Sequence, residues 1–175
     1  GQLQCGAHLP FNEREAERIL RAGEHPTQLH NNCSGKHAAM LAFAKHIEAD
    51  PATYIALDNP VQQEILGTIS VFTEVPIEKI QIGTDGCAAP NFAIPLSAMA
   101  KSFMNLILPP ETFGPDITKA CARIVSAMTK SPELIGGSDR LDTMLMQVAA
   151  GTIISKVGAD GVWLCGVLPS QKYPS

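Results

Sequence analysis

Apolar residues recur at helical spacing along the first 150 residues of this chain, and the period then changes to that of strands. That switch predicts a mainly helical body (1–150) followed by a late β-hairpin (151–168), hence an α+β fold. Asn12 with Glu15 three residues on reads as a capping box, with Phe11 as its hydrophobic staple and Gly23 as the helix stop. Ser34 to Glu48 is apolar on nearly every side (Ala38, Met40, Leu41, Phe43, Ile47), which predicts a buried helix. Asn59-Pro60 opens a third helix with Val61, Ile65, Ile69 and Phe72 on one stripe and Pro76 beyond its end. Ile80-Gln81-Ile82 reads as a short strand or an extended entry to the next loop. Helices are predicted from about Pro95 to Leu108 and Pro115 to Lys130, joined by the turn-rich Pro109 to Pro115. A last helix, capped by Ser138, runs through Val148 and closes at Gly151. Thr152 to Val157 and Val162 to Leu168 are the strands, with Gly158-Ala159-Asp160-Gly161 as their turn.

The 175 residues suit one ordinary domain. Hydrophobic residues make up 45% and charged residues 17%, enough for a core and too little charge for a disordered chain. The formal charge is -4 and the 13 Lys and Arg are scattered, so no nucleic-acid partner is expected. No run approaches the roughly 20 apolar residues of a membrane span, and no signal-like apolar region is visible, so no membrane partner is expected either. The cysteines at 5, 33, 87, 121 and 165 show no disulfide spacing and no Cys-x-x-Cys pair, which suggests a reducing, cytoplasmic setting. Cys121 and Cys165 lie in apolar segments and read as small core residues. A lone hairpin is marginal. With a start at Gly1 and an abrupt stop at Tyr173-Pro174-Ser175, the chain reads as a fragment truncated at both ends, its sheet partners supplied from outside or by another subunit.

Chemistry concentrates in two loops that together read as one composite site. His30-Asn31-Asn32-Cys33-Ser34-Gly35-Lys36-His37 packs a thiol, a hydroxyl, an amine and two imidazoles at a helix start, where backbone N–H groups favour anions. A thiol there beside Lys36 is expected to have a lowered pKa, and Cys33 is a nucleophile, a metal ligand or a buried cap. Lys36 lies one helical turn on and reaches the same pocket. Ser34 is a nucleophile or an N-cap. Gly35 lets a ligand approach the backbone. His30 and His37 are general bases or hydrogen-bonded structural residues. Asp85, between Thr84 and Gly86, anchors a substrate ammonium, orients a lysine or closes an Asx-turn. Cys87 shares its loop. With Cys33 and Lys36 it makes a candidate zinc site, although lysine is a rare ligand because its amine must first lose a proton. Lys156 and Gly158 end a strand, where they line a pocket and hold a substrate carboxylate or form a surface turn. Arg140 clamps a carboxylate or pairs at the surface. There is no Gly-x-Ser-x-Gly elbow, phosphate loop or His-Glu-x-x-His.

Cys5-Gly6-Ala7-His8-Leu9-Pro10, the run from His30 to His37, Asp85-Gly86-Cys87-Ala88-Ala89-Pro90, Gly136-Gly137-Ser138-Asp139-Arg140-Leu141-Asp142-Thr143 and Lys156-Val157-Gly158-Ala159-Asp160-Gly161 resemble the class 3 L-asparaginases, the asparaginase II sequence family. The resemblance covers essentially residues 1–175 as a single region. It implies hydrolysis of L-asparagine to L-aspartate and ammonia. It implies a fold like serine β-lactamases and glutaminases, an antiparallel sheet flanked by helices with a mainly helical second region, and a homodimer. Lys156-Val157-Gly158 is similar to the Lys-Ser-Gly or Lys-Thr-Gly strand motif of those enzymes. The family's zinc site of two cysteines and a lysine falls on Cys33, Lys36 and Cys87, with Asp85 alongside. Its upstream Ser-x-x-Lys pair, which supplies nucleophile and base, has no match before Cys33.

The sequence therefore reads as an amidohydrolase acting by acyl transfer, its nucleophile in a Ser-x-x-Lys outside these residues. Cys33, Ser34, Lys36 and Asp85 are the catalytic candidates, and His37, Arg140, Lys156 and Gly158 the substrate-binding ones. Cys33, Lys36 and Cys87 are the zinc candidates. Two rivals stand beside this reading: an amidase with Cys33 as nucleophile, and a non-catalytic zinc- or amino-acid-binding module.

Overall fold

The computed structural model describes residues 2–170. In chain order the elements are α1 (Glu13–Arg21), α2 (Ser34–His46), α3 (Pro60–Thr73), β1 (Gln81–Thr84), β2 (Pro90–Ala93), α4 (Leu96–Ile107), α5 (Gly114–Lys130), α6 (Glu133–Gly136), α7 (Leu141–Val148), β3 (Ile153–Val157) and β4 (Trp163–Val167). Helices dominate and both sheets are small antiparallel pairs, so the fold is α+β. The chain divides into two compact units: Gly1–Val71 with Val75–Ile94, and Phe72–Glu74 with Pro95–Ser175.

In the first unit, α1 starts where Asn12 Oδ1 accepts from the Glu15 N–H at 3.0 Å and stops at Gly23, whose φ of 68° only glycine adopts freely. Glu15 itself pairs with Arg18, and Phe11 does not staple the helix. It is exposed and stacks on His8 at 5.5 Å. Helix α2 is less buried than its composition suggests. Only His37, Met40 and Ala44 are fully covered, a single stripe at i, i+3 and i+7, while Ala38, Ala39 and Ala42 face solvent. The core joins Met40 and Ala44 to Val61 of α3, Tyr54 of the intervening loop, Cys5 of the N-terminal segment, and Cys87 and Ala89. Asn59 opens α3 by accepting from the Val61 N–H at 2.9 Å. The extended stretch at residue 80 proves to be the first half of a hairpin. Strand β1 pairs with β2 from Gln81↔Ala93 to Thr84↔Pro90, around the loop that carries Asp85 and Cys87.

In the second unit, Met128, Met146 and Ile154 form a core flanked by Phe103, Leu106, Ile107, Val125 and Ile135. The C-terminal hairpin falls where the sequence put it, with register Ile153↔Val167 to Val157↔Trp163. Two details differ. Ser138 does not cap α7. Asp139 takes a left-handed φ of 58°, which turns the chain and delays the helix to Leu141, with Arg140 as its N-cap. Cys165 is exposed rather than in the core, because alternation along β4 puts it on the outer face, whereas Cys121 is buried as expected. Among the described residues no helix is long and apolar enough to cross a membrane.

Candidate functional site

The polar run before α2 is shaped by its own asparagine. Asn31 is buried. Its Nδ2 donates to the Gly6 carbonyl at 2.8 Å, and its Oδ1 accepts from the Cys33 N–H at 2.7 Å. Cys5 Sγ donates to the Gln28 carbonyl at 3.6 Å and His8 Nε2 meets Asn32 Oδ1 at 3.3 Å. The motif at residues 5–8 and the motif at residues 30–37 thus brace each other. The Asx-turn makes Cys33, not Ser34, the helix N-cap, and Ser34 is the first helical residue. His30 closes a local cap, its Nδ1 accepting from the Thr27 N–H at 2.9 Å. His37 has no exposed surface on which a substrate could rest. Its Nδ1 meets Tyr54 Oη at 2.5 Å, and Tyr54 Oη accepts from the Gln4 N–H at 2.8 Å.

The second loop is tight. Asp85 N–H donates to the Ala89 carbonyl at 2.8 Å, and the Ala88 N–H to the Asp85 carbonyl at 2.9 Å. Ala88 is held at φ 70°, which costs an L-residue about 1–2 kcal/mol. Gly86 N–H donates to Asp85 Oδ1 at 2.8 Å, leaving Oδ2 to its neighbours. Lys36 Nζ donates to Oδ2 at 2.9 Å, and Cys87 Sγ at 3.4 Å. The ligand atoms of Cys33, Asp85 and Cys87 lie within 4.8 Å of one another. Four of the sequence candidates therefore form one cluster within the first unit.

The cluster's electrostatics reverse one expectation. The Cys33 thiol is raised above its ordinary 9.0: burial raises it more than the Lys36 charge lowers it, and Cys87 and Asp85 add to the rise. Asp85 is held below its ordinary 3.8, first by the Lys36 hydrogen bond. Burial alone would lower the Lys36 amine, but its hydrogen bonds to Asp85 and Cys87 prevail and hold it above 10.5. His37 is lowered below 6.5, by burial first and then by the Lys36 charge.

A stability profile follows. A depressed carboxylate contributes above its unfolded pKa and loses that contribution as pH falls through the folded value. A raised amine contributes below its unfolded pKa and loses it as pH rises. The Asp85–Lys36 pair therefore stabilises metal-free protein between about pH 5 and pH 9. His37, kept neutral, adds a loss that begins as pH falls through 6.5. Denaturant midpoints of chelator-treated protein should fall in two stages on acidification, and Asp85→Asn should remove the stage below about pH 4. A wild-type acid limb in Asp85→Asn would refute the pairing. Both side chains are about a third or more exposed, so the effect is modest.

The remaining candidates lie in the second unit. Arg140 is exposed, and among the described residues it forms no salt bridge. Lys156 is exposed on β3 and its ammonium donates to the Val157 carbonyl. At Gly158 a Cβ would come within 3.1 Å of Val162 Cβ, a tight contact that the valine would have to relieve by a small shift. Sequence reasoning missed Tyr54, the buried partner of His37, and Asp142, whose carboxylate lies 4.0 Å from Lys156 Nζ. No local pattern marks Tyr54. Asp142 stands within the Gly136–Thr143 motif, but no local pattern sets it apart from Thr143 and Gln147, the other polar residues of α7.

No curated protein matches the chain. The family model described as L-asparaginase II matches residues 1–173. Essentially the whole sequence is covered, and this chain belongs to the L-asparaginase II family.

Proposed function

We propose that the protein hydrolyses L-asparagine to L-aspartate and ammonia, with the cluster of Cys33, Lys36, Asp85 and Cys87 positioning substrate or holding zinc. The observation that carries this is the convergence of two thiols, a carboxylate and an amine from separate loops, in a chain that belongs to an asparagine-hydrolysing family. The reaction is acyl transfer. A serine attacks the side-chain amide, ammonia leaves and water releases aspartate. No Ser-x-x-Lys pair lies before Cys33, and in this reading the attacking serine is that of the family's pair rather than a residue of the cluster. Lys156 and Arg140 supply cations suited to the substrate's α-carboxylate. A homodimer with the β-lactamase-like fold, in a reducing cytoplasm, belongs to the same reading.

The donor set suits zinc. Thiolate ligands sit about 2.3 Å from zinc and oxygen ligands about 2.0–2.2 Å, a spacing that groups within 4.8 Å of one another reach with small shifts. Cys33, Lys36 and Cys87 would hold the ion, with Asp85 beside them. Lys36 enters that set only as the neutral amine, so binding releases a proton. Bound zinc would supply Lewis acidity and charge neutralisation. Cys33 would bind the ion as its thiolate, so its raised thiol also gives up a proton on binding.

Lys36→Met is expected to lower kcat/KM for L-asparagine by about 100-fold while the circular dichroism spectrum stays that of wild type. Unchanged kinetics would remove the cluster from the reaction. If alkylation of metal-saturated protein abolishes turnover with label on Cys33 alone, the cysteine-nucleophile rival replaces this reading.

A further inference from the structure

Asp142 is 1% exposed in the first turn of α7. A buried carboxylate is costly unless it is paired and hydrogen-bonded, and here its partners among the described residues come from β3. Oδ1 accepts from Ser155 Oγ at 2.7 Å and Oδ2 from the Val157 N–H at 2.8 Å. Lys156 Nζ lies 4.0 Å from Oδ2. Trp163 Nε1–H donates to Ser155 Oγ at 2.9 Å, which fixes the serine hydroxyl from β4.

The ladder explains why this carboxylate reaches backbone. Gly158 N–H donates to the Val162 carbonyl and Leu168 N–H to the Thr152 carbonyl. Even-numbered residues of β3 therefore face β4, and odd-numbered ones turn their N–H and C=O to the open edge. Asp142 caps that edge at Val157, and the Lys156 ammonium bends over the strand to the Val157 carbonyl on the same edge. A neutral amide could accept only at its single oxygen and would bury an unused NH₂. A carboxylate accepts at both positions and adds charge beside the lysine.

We propose that Asp142 is the positioning residue for Lys156. It locks the Ser155–Val157 end of β3 and holds the ammonium at the strand's open edge, where it receives the substrate α-carboxylate. The inference rests on the role given to Lys156 under the proposed function.

The test is steady-state hydrolysis of L-asparagine by the whole protein. D142N is expected to raise KM about tenfold with kcat within about twofold. S155A, which frees one carboxylate oxygen without changing charge, should raise KM about threefold and decides the matter if D142N does not fold. I154V, on the same strand but in the core, serves as the stability control and should leave KM unchanged. The inference is overturned if D142N and S155A lose stability with wild-type KM, or if I154V shifts KM as they do. K156Q separates the two levels. A raised KM in K156Q with wild-type KM in D142N and S155A overturns this inference alone. An unchanged KM in K156Q overturns the role of Lys156, and this inference with it.

Discussion

Replacing Cys33 and Cys87 together by alanine is expected to weaken zinc retention by on the order of 100-fold or more, since even the loss of outer-shell support costs 10- to 100-fold. The two thiols are the only soft donors in the cluster, and without them an amine and a carboxylate remain, a set zinc shares with any hard cation. The fold should persist. Cys33 is only half-buried, and Cys87, though buried, gives up a single sulfur from a core that also holds Met40, Tyr54 and Val61. The check is metal content after equilibration against a zinc buffer, with circular dichroism alongside. Wild-type zinc content in the double variant would exclude these thiols as ligands.

Tyr54→Ala is expected to destabilise the protein by about 3–5 kcal/mol, the range for deleting a buried aromatic side chain. Tyr54 is fully buried, the largest side chain so placed among the described residues, in the core that carries both Cys33 and Cys87. Its hydroxyl partners the Gln4 N–H and His37 Nδ1, so the substitution also strips His37, whose Nε2 already lacks a partner among the described residues. Tyr54→Phe isolates the hydroxyl and should cost about 1–3 kcal/mol, the penalty for leaving buried polar groups unmet. Urea titrations of the three proteins test both figures. A loss of less than 1 kcal/mol in Tyr54→Ala would mean that the loop at residue 54 is not anchored as described.

The sequence carried the helices and the late hairpin because their signals are local. Asn12 and Asn59 cap helices by reaching two or three residues along the chain. The change of period at residue 150 needs nothing distant. Strand β2 escaped notice because Pro90 and Asn91 are poor strand formers, and its pairing with β1 is set by the Asp85–Ala89 turn. The burial of α2 was overestimated because composition does not say how many faces find partners. At the site, the approach of Lys36 to the Asp85 loop was foreseen from residue types, but its partner atom spans 49 positions and only the folded chain identifies it. The Cys33 thiol was misjudged because a neighbouring lysine is visible in sequence, whereas burial beside Cys87 and Asp85 is not. Asp142 escaped for the same reason, since its partners lie 13 and 15 residues away on another element.

Amide hydrolysis of asparagine, served by the cysteine–lysine–aspartate cluster, is what the proposed function requires of this protein. Its most direct test is release of ammonia and L-aspartate from L-asparagine by the protein as its own cell makes it, alongside the Asp85→Ala variant. Equimolar products are expected from the wild type, with a loss of about 100-fold in kcat/KM in the variant. Tight asparagine binding with no product from the wild type would contradict that function and leave an amino-acid-binding module.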